Sequence, residues 1–228
     1  MIVPLVPEED WLAVLPDDGN WKPPAKPTLI ISPHPDDETL GVGGLIMAQN
    51  MEHQPVSVVA VTDGEAAYTD SPHLAAIRRA EQEEAARTLG IENPLIRLAL
   101  PDAELSGREE DLEASLRPLI HAGMLVLAPW VHDWHPDHEA CARVARTLCT
   151  QTGAELISYL FWTWHRRTPQ ILLTKHLLRL DLSPAMQRTK RAAMECYVSQ
   201  LQHGTEPILP ELLLAPAYRP FEIFIAHA

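Results

Sequence analysis

Short apolar runs, each followed by a segment of helical periodicity, constrain the fold of this chain more than any other feature. Residues 28–32 (TLIIS), 56–61 (VSVVAV) and 124–128 (MLVLA) are near-continuous apolar stretches, and 95–98 is a weaker one. Strands of this kind are buried on both faces, as in parallel sheets covered by helices. The intervening segments predict helices over 38–50, 73–89 (stopped by Gly90), 108–121 (disturbed at Pro118) and 137–150. Beyond residue 152 the pattern predicts a strand over 155–162, a helix over 184–200 and a last strand over 221–226. The expectation is an α/β fold with a mostly parallel central sheet and helices on both sides. The proline-rich residues 1–27 read as an irregular N-terminal arm, pinned by Trp11 and Trp21, ahead of one domain over 28–228.

A length of 228 residues suits one such domain. The formal charge is −13, so phosphate backbones and anionic lipid surfaces are repelled and nucleic acid is not an expected partner. The first residues, MIVPLVPEED, have neither the basic segment nor the long apolar run of a secretory signal. No apolar stretch reaches the roughly 18 residues needed to span a bilayer. Cys141, Cys149 and Cys196 are odd in number and form no CxxC pair, which predicts free thiols and a cytoplasmic location.

The 11 histidines carry the chemistry through their spacing. Directly after the first predicted strand comes Ser32-Pro33-His34-Pro35-Asp36-Asp37-Glu38. Ligands collect at the carboxyl ends of strands in open parallel sheets, so a histidine and two carboxylates on a proline-stiffened turn are well placed for a metal. Taken alone, the turn is explained equally by helix capping. A second cluster, Val131-His132-Asp133-Trp134-His135-Pro136-Asp137-His138, also follows a buried strand, and the two would converge on one edge of the sheet. A metal site is therefore expected. Two histidines and one carboxylate with an open position suit catalytic zinc, and equally a non-haem Fe(II) oxygenase. There is no GxSxG nucleophile elbow. Gly41-Val42-Gly43-Gly44 is not GxGxxG and reads as close helix–sheet packing.

These clusters resemble the signatures of the PIG-L/LmbE-like deacetylases: His34-Pro35-Asp36-Asp37-Glu38 with Gly43-Gly44, and Asp133 with His135-Pro136-Asp137-His138. Thr62-Asp63-Gly64, Arg78-Arg79-Ala80-Glu81, Leu100-Pro101-Asp102, and Lys190 with Tyr197 and Ser199-Gln200 resemble further segments of that family, in order from about residue 28 to 200. The resemblance implies a Rossmann-like three-layer fold and zinc-dependent removal of N-acetyl groups from amino sugars. It implies His34, Asp37 and His138 as zinc ligands and Asp36 as general base. His135 would stabilise the oxyanion or act as general acid, with Asp137 orienting it. Arg78, Asp63 and Asp102 would contact a small N-acetylated amino sugar or glycoconjugate.

Other residues are read more plainly. Glu38 is expected to support the turn by hydrogen bonds, and His132 to stand outside the metal shell. The stretch Tyr159, Trp162, Trp164 and His165 suits either sugar stacking or the core. Arg166 and Arg167 form a basic pair beside it, and Cys141 and Cys149 share one helix face as buried thiols. An oxygenase leaves Asp36 and His135 without roles. A metal-dependent sugar-binding protein would need neither a base nor an acid.

Overall fold

The expected strands pair into one sheet. The computed structural model describes residues 3–19, 21–68, 71–202 and 207–227. Its seven strands are β1 (Thr28–Ser32), β2 (Val56–Ala60), β3 (Ile96–Arg97), β4 (Leu125–Pro129), β5 (Glu155–Tyr159), β6 (Leu177–Asp181) and β7 (Phe221–Ala226), in the order β3-β2-β1-β4-β5-β7-β6. The first five are parallel, Thr28 standing opposite Val56 on one side and Leu125 on the other. β7 runs antiparallel to both β5 and β6.

The helices are α1 (Glu8–Leu12), α2 (Asp37–Met51), α3 (Leu74–Thr88), α4 (Glu109–Leu116), α5 (Pro136–Thr152), α6 (Thr163–Arg166), α7 (Pro184–Met194) and α8 (Val198–Leu201). Alternation along the strands divides the core between two faces. Ile30, Leu125 and Leu127 pack with Val42, Leu45 and Ala85 from α2 and α3. Leu29, Ile31, Val126 and Ala128 pack on the other side with Leu112 of α4 and Val144 and Leu148 of α5. This is the three-layer arrangement the apolar runs imply.

Close approach of α2 to the sheet explains the glycine run. A Cβ on Gly41 would stand 2.5 Å from the Tyr159 ring, and one on Gly44 would meet Leu182 and Glu222. Within α2, the Leu40 carbonyl accepts from Lys190 Nζ (3.0 Å), while the Gly44 and Leu45 amides donate to Glu222 (2.6 and 2.9 Å). Lys190 and Glu222 are themselves paired at 2.6 Å, both buried. An ion pair from α7 and β7 thus grips the middle of α2.

The disturbance at Pro118 and the pinning by Trp11 and Trp21 are found as expected. By contrast, the strand over 155–162 ends at Tyr159, the helix over 184–200 is divided and the arm is not wholly irregular. Residues 108–121 form α4 and then a 3-10 turn over Arg117–Leu119, because Pro118 cannot continue the helix. The helix over 184–200 is two helices, α7 and α8, divided at Tyr197 (φ −85°, ψ 56°). The N-terminal arm holds α1, whose buried Trp11 meets Trp164 edge-on at 5.0 Å, and Trp21 lies 5.4 Å from the Phe224 ring. No helix among the described residues is long and apolar enough to cross a membrane.

Candidate metal centre

Between β1 and β4 the strand order reverses, and in open α/β sheets a crevice opens outside the carboxyl ends of the strands at such a point. The turn after β1 and the loop after β4 both lead into it. Pro136 fixes the first turn of α5, so His135 sits at its N-cap and His138 lies one turn in.

Three donor atoms converge there. His34 Nδ1 lies 3.2 Å from Asp37 Oδ2 and 3.3 Å from His138 Nε2, and His138 Nε2 lies 3.3 Å from Asp37 Oδ2. Metal bonds of about 2.0–2.1 Å in tetrahedral geometry put donors about 3.3–3.4 Å apart, so the triangle fits one face of a zinc-like coordination shell. The outer nitrogens are fixed as metal-binding histidines require. His138 Nδ1 faces buried Asp133 Oδ2 at 2.8 Å, and His34 Nε2 faces Asp137 Oδ2 and Asp102 Oδ1, both at 3.2 Å.

The protonation pattern agrees. Burial opposes a charge on His138, but Asp37 and Asp133 outweigh it and raise its pKa to about 9. His34 is likewise raised, burial being overcome by Asp102, Asp137 and Asp37. For Asp37 itself, the facing imidazoles overcome burial and hold its carboxyl well below the usual carboxylate range. Protons on the two rings therefore stand where a cation would replace them.

Ring nitrogens of His34, His135 and His138 also lie within 4.8 Å of one another, as do donors of His34, Asp102 and Asp137. The second group is otherwise engaged. Asp102 accepts from the Ala66 amide, and Asp137 from those of Ala103 and Leu105. The Asp37-containing triangle leaves the hydrogen bonds of Asp102 and Asp137 intact.

Among the polar side chains that line the cavity without belonging to the triangle, Asp36 and His135 have the most perturbed titration. Asp36, at the N-cap of α2, has φ 137°, a backbone angle that L-residues rarely adopt. Burial, opposed by Arg78, raises its pKa to about 8. His135 is lowered to about 3, by burial first and then by His138 and His34, and its Nδ1 is buried without a partner. The cavity measures about 270 Å³, and Phe161, Trp162, Ile208 and Leu209 give it an apolar wall.

Several expected contacts are placed differently. Asp137 bonds His34 rather than orienting His135, because its carboxylate is drawn to the amides of the loop after β3. Arg78 borders the cavity, but its guanidinium holds Asp36 Oδ2 (3.1 Å) and the carbonyls of Pro35 and Gly64. Asp63 does not line the cavity, since Arg79 (2.9 Å) and Arg97 (3.7 Å) hold it to the flank. Asp102 does line it, and reaches His34. Glu38 is a buried hub for Ser32, Gln82 and Tyr197. His132 stacks edge-on against Trp130, away from the donors.

Sequence reasoning gave no role to Asp133 or to the wall residues Ile208 and Leu209. Asp133 was legible as the carboxylate five residues before His138. Ile208 and Leu209 arrive from a distant segment with no local signal.

Comparison with known proteins bears on this geometry. A profile of the PIG-L family, described as GlcNAc-PI de-N-acetylase, matches residues 29–149, which hold both His/Asp clusters. The chain is 32% identical over 124 residues to "Probable N-acetyl-alpha-D-glucosaminyl L-malate deacetylase 2" of Bacillus subtilis (strain 168), covering 50% of this chain and 56% of that protein. It is 34% identical over 121 residues to the diacetylchitobiose deacetylase of Thermococcus kodakarensis, covering 50% and 45%. The chain spans about half the length of the curated relatives it matches. Among solved structures, the conserved protein TT1542 from Thermus thermophilus superposes with a TM-score of 0.67 at 26% identity, over 89% of this chain and 95% of its own.

Proposed function

The chain belongs to the PIG-L family, and from that premise we propose that it is a zinc-dependent N-deacetylase acting on an N-acetylated amino sugar or a glycoconjugate bearing one. The observation that carries the reading is the His34–Asp37–His138 triangle with Asp36 and His135 beside it on one cavity. Relatives named for N-acetylglucosaminyl and chitobiose substrates support N-acetylglucosamine as the reacting sugar. An oxygenase built on the same triad would leave Asp36 and His135 idle.

His34, Asp37 and His138 would hold the zinc, with Asp133, Asp102 and Asp137 fixing the two imidazoles. When bound, zinc supplies a Lewis acid and brings the pKa of water to about 7. Asp36 Oδ takes a proton from the attacking water, and Arg78 keeps the carboxylate aimed at it. A carboxyl whose pKa lies near neutrality both accepts this proton and returns it to the departing amine as the amide C–N bond breaks. His135, neutral because of its burial, donates an N–H to the oxygen that gathers negative charge. The products are the free amino sugar and acetate. Residues 28–228 act as one catalytic domain, with residues 1–27 as an arm packed on it. The free cysteines accord with a cytoplasmic location.

The test is primary-amine release by the zinc-loaded protein from N-acetylglucosamine, its chitobiose dimer and a simple glycoside. Asp36→Asn is expected to retain zinc and lose about 10²–10⁴ in kcat. Absence of release from all three, or wild-type rates in Asp36→Asn, refutes the reading.

A further inference from the structure

Beyond the deacetylase reading, and resting on it, we propose that Arg166 selects substrates whose aglycone carries an anionic group, a carboxylate or a phosphate. The cavity that holds Asp36, Asp37 and Asp102 also includes Arg166 in its lining, beside the apolar wall of Phe161 and Trp162. Its guanidinium carbon lies 4.3 Å from the centroid of the Trp162 ring, and Nη1 donates to the Trp134 carbonyl (2.5 Å). Arg167, next in the chain, is held in the same manner over the Trp134 ring at 4.2 Å.

Neither arginine has a carboxylate partner in an ion pair among the described residues, although the chain has 31 acidic residues against 18 basic ones. The carboxylate acting on Arg166 from nearby, Asp133, is buried and committed to His138 and to the amides of Phe161, Trp162 and Thr163. Arg166 is thus a half-buried cation, fixed in place by stacking and one hydrogen bond, with its charge left for a ligand.

The charge pattern then sets orientation. Carboxylates at the floor repel an anionic substituent, and the arginine at the wall attracts it, so the neutral acetamide goes to the donor triangle. A guanidinium fork matches both carboxylate and phosphate geometry, which a lysine does not.

The experiment compares the methyl glycoside of N-acetylglucosamine with glycosides bearing a carboxylate or a phosphate monoester on the aglycone, using zinc-loaded wild type, Arg166→Gln and Arg166→Lys. Wild type is expected to show a lower KM for an anionic glycoside, by about tenfold or more. Arg166→Gln, which keeps a donor for the Trp134 carbonyl, is expected to raise that KM about tenfold to a hundredfold and abolish most of the preference, with kcat changing far less. Arg166→Lys should restore part of it. Whichever anion shows the larger effect identifies the aglycone chemistry.

Equal KM values for neutral and anionic glycosides in wild type overturn the proposal while leaving the deacetylase intact. An equal loss on every substrate in Arg166→Gln also overturns it, since Arg166 would then act through the loop that carries His135. If no glycoside is turned over, the deacetylase reading fails separately. Calorimetric binding of the corresponding glucosamine glycosides then decides Arg166 alone: anion preference lost in Arg166→Gln supports it, and equal binding refutes it.

Discussion

Asp133→Asn tests whether the second carboxylate around His138 governs metal binding. In the wild type, Oδ1 accepts from the amides of Phe161 (3.1 Å) and Thr163 (2.9 Å) and from Thr163 Oγ1 (2.7 Å), while Oδ2 faces His138 Nδ1 and accepts from the Trp162 amide (3.2 Å). An asparagine satisfies most of these groups by keeping its oxygen on the Oδ1 side, which turns its NH2 toward His138 and Trp162. His138 Nδ1 must then become an acceptor, so the ring proton moves to Nε2, the nitrogen that faces Asp37. Loss of such an outer partner costs about 10–100-fold in metal affinity, or about 1.4–2.7 kcal/mol. The unpartnered Trp162 amide removes a further 1–3 kcal/mol or so from fold stability, about 2–12 °C in Tm for a chain of this size. Zinc affinity would be read by chelator competition and Tm by calorimetry of the metal-free protein. If the effect passes through His138, Asp133→Asn combined with His138→Ala binds zinc no more weakly than His138→Ala alone. A zinc affinity within twofold of wild type for Asp133→Asn, with His138→Ala defective, refutes the reasoning.

Three further outcomes are expected. Both ring nitrogens of His165 are buried without partners, and burial lowers its pKa to about 4. An unfolded histidine near 6.5 binds the proton first, so stability falls as pH drops from 6.5 toward 4, by about 3 kcal/mol at the end. His165→Phe should lose that part of the slope in Tm against pH, and an unchanged slope excludes His165 as its source. Lys190→Met leaves Glu222 buried without its cation, which should cost about 3–5 kcal/mol in urea unfolding. Adding Glu222→Gln should recover part of that loss, and additive losses would show that the pair is not coupled. At Gly64 (φ +66°) a Cβ would lie 2.2 Å from Arg78 Nη1, so Gly64→Ala should push the guanidinium off Asp36. Deacetylation kcat is then expected to fall at least tenfold with zinc content unchanged; a wild-type kcat would separate Arg78 from the chemistry.

The two His/Asp clusters were legible in the sequence because each follows a strand end, and the resemblance to the PIG-L/LmbE-like signatures singled out His34, Asp37 and His138 among them. His34 and Asp37 share one turn, His138 follows a proline-started helix, and a parallel sheet brings those ends together. Contacts made by the loop after β3 were not legible. That strand has two residues, and nothing near Asp102 signals that its carboxylate reaches a histidine 68 positions earlier. Arg78 reads as a substrate ligand from sequence because a basic side chain near the active edge carries no sign of its own partner. The structure shows that the partner is Asp36. β6 gives no sequence signal because Leu177–Asp181 has no β-branched residue and gains its identity only by pairing with β7. The break at Tyr197 is also tertiary, since its hydroxyl reaches Glu38 and Thr39 from across the fold.

The triangle joins residues 104 positions apart, His34 after β1 and His138 in α5. Neither half supplies three donors, and the intervening chain must wind β2, β3 and β4 into register before the third arrives. A molecule with a slipped strand or an undocked α5 would offer two ligands at most. If the proposed ligand set holds, stoichiometric metal uptake would serve as a census of correctly assembled molecules: in any preparation, the bound-metal fraction would count the chains in which the segment from His34 to His138 has closed into the native topology.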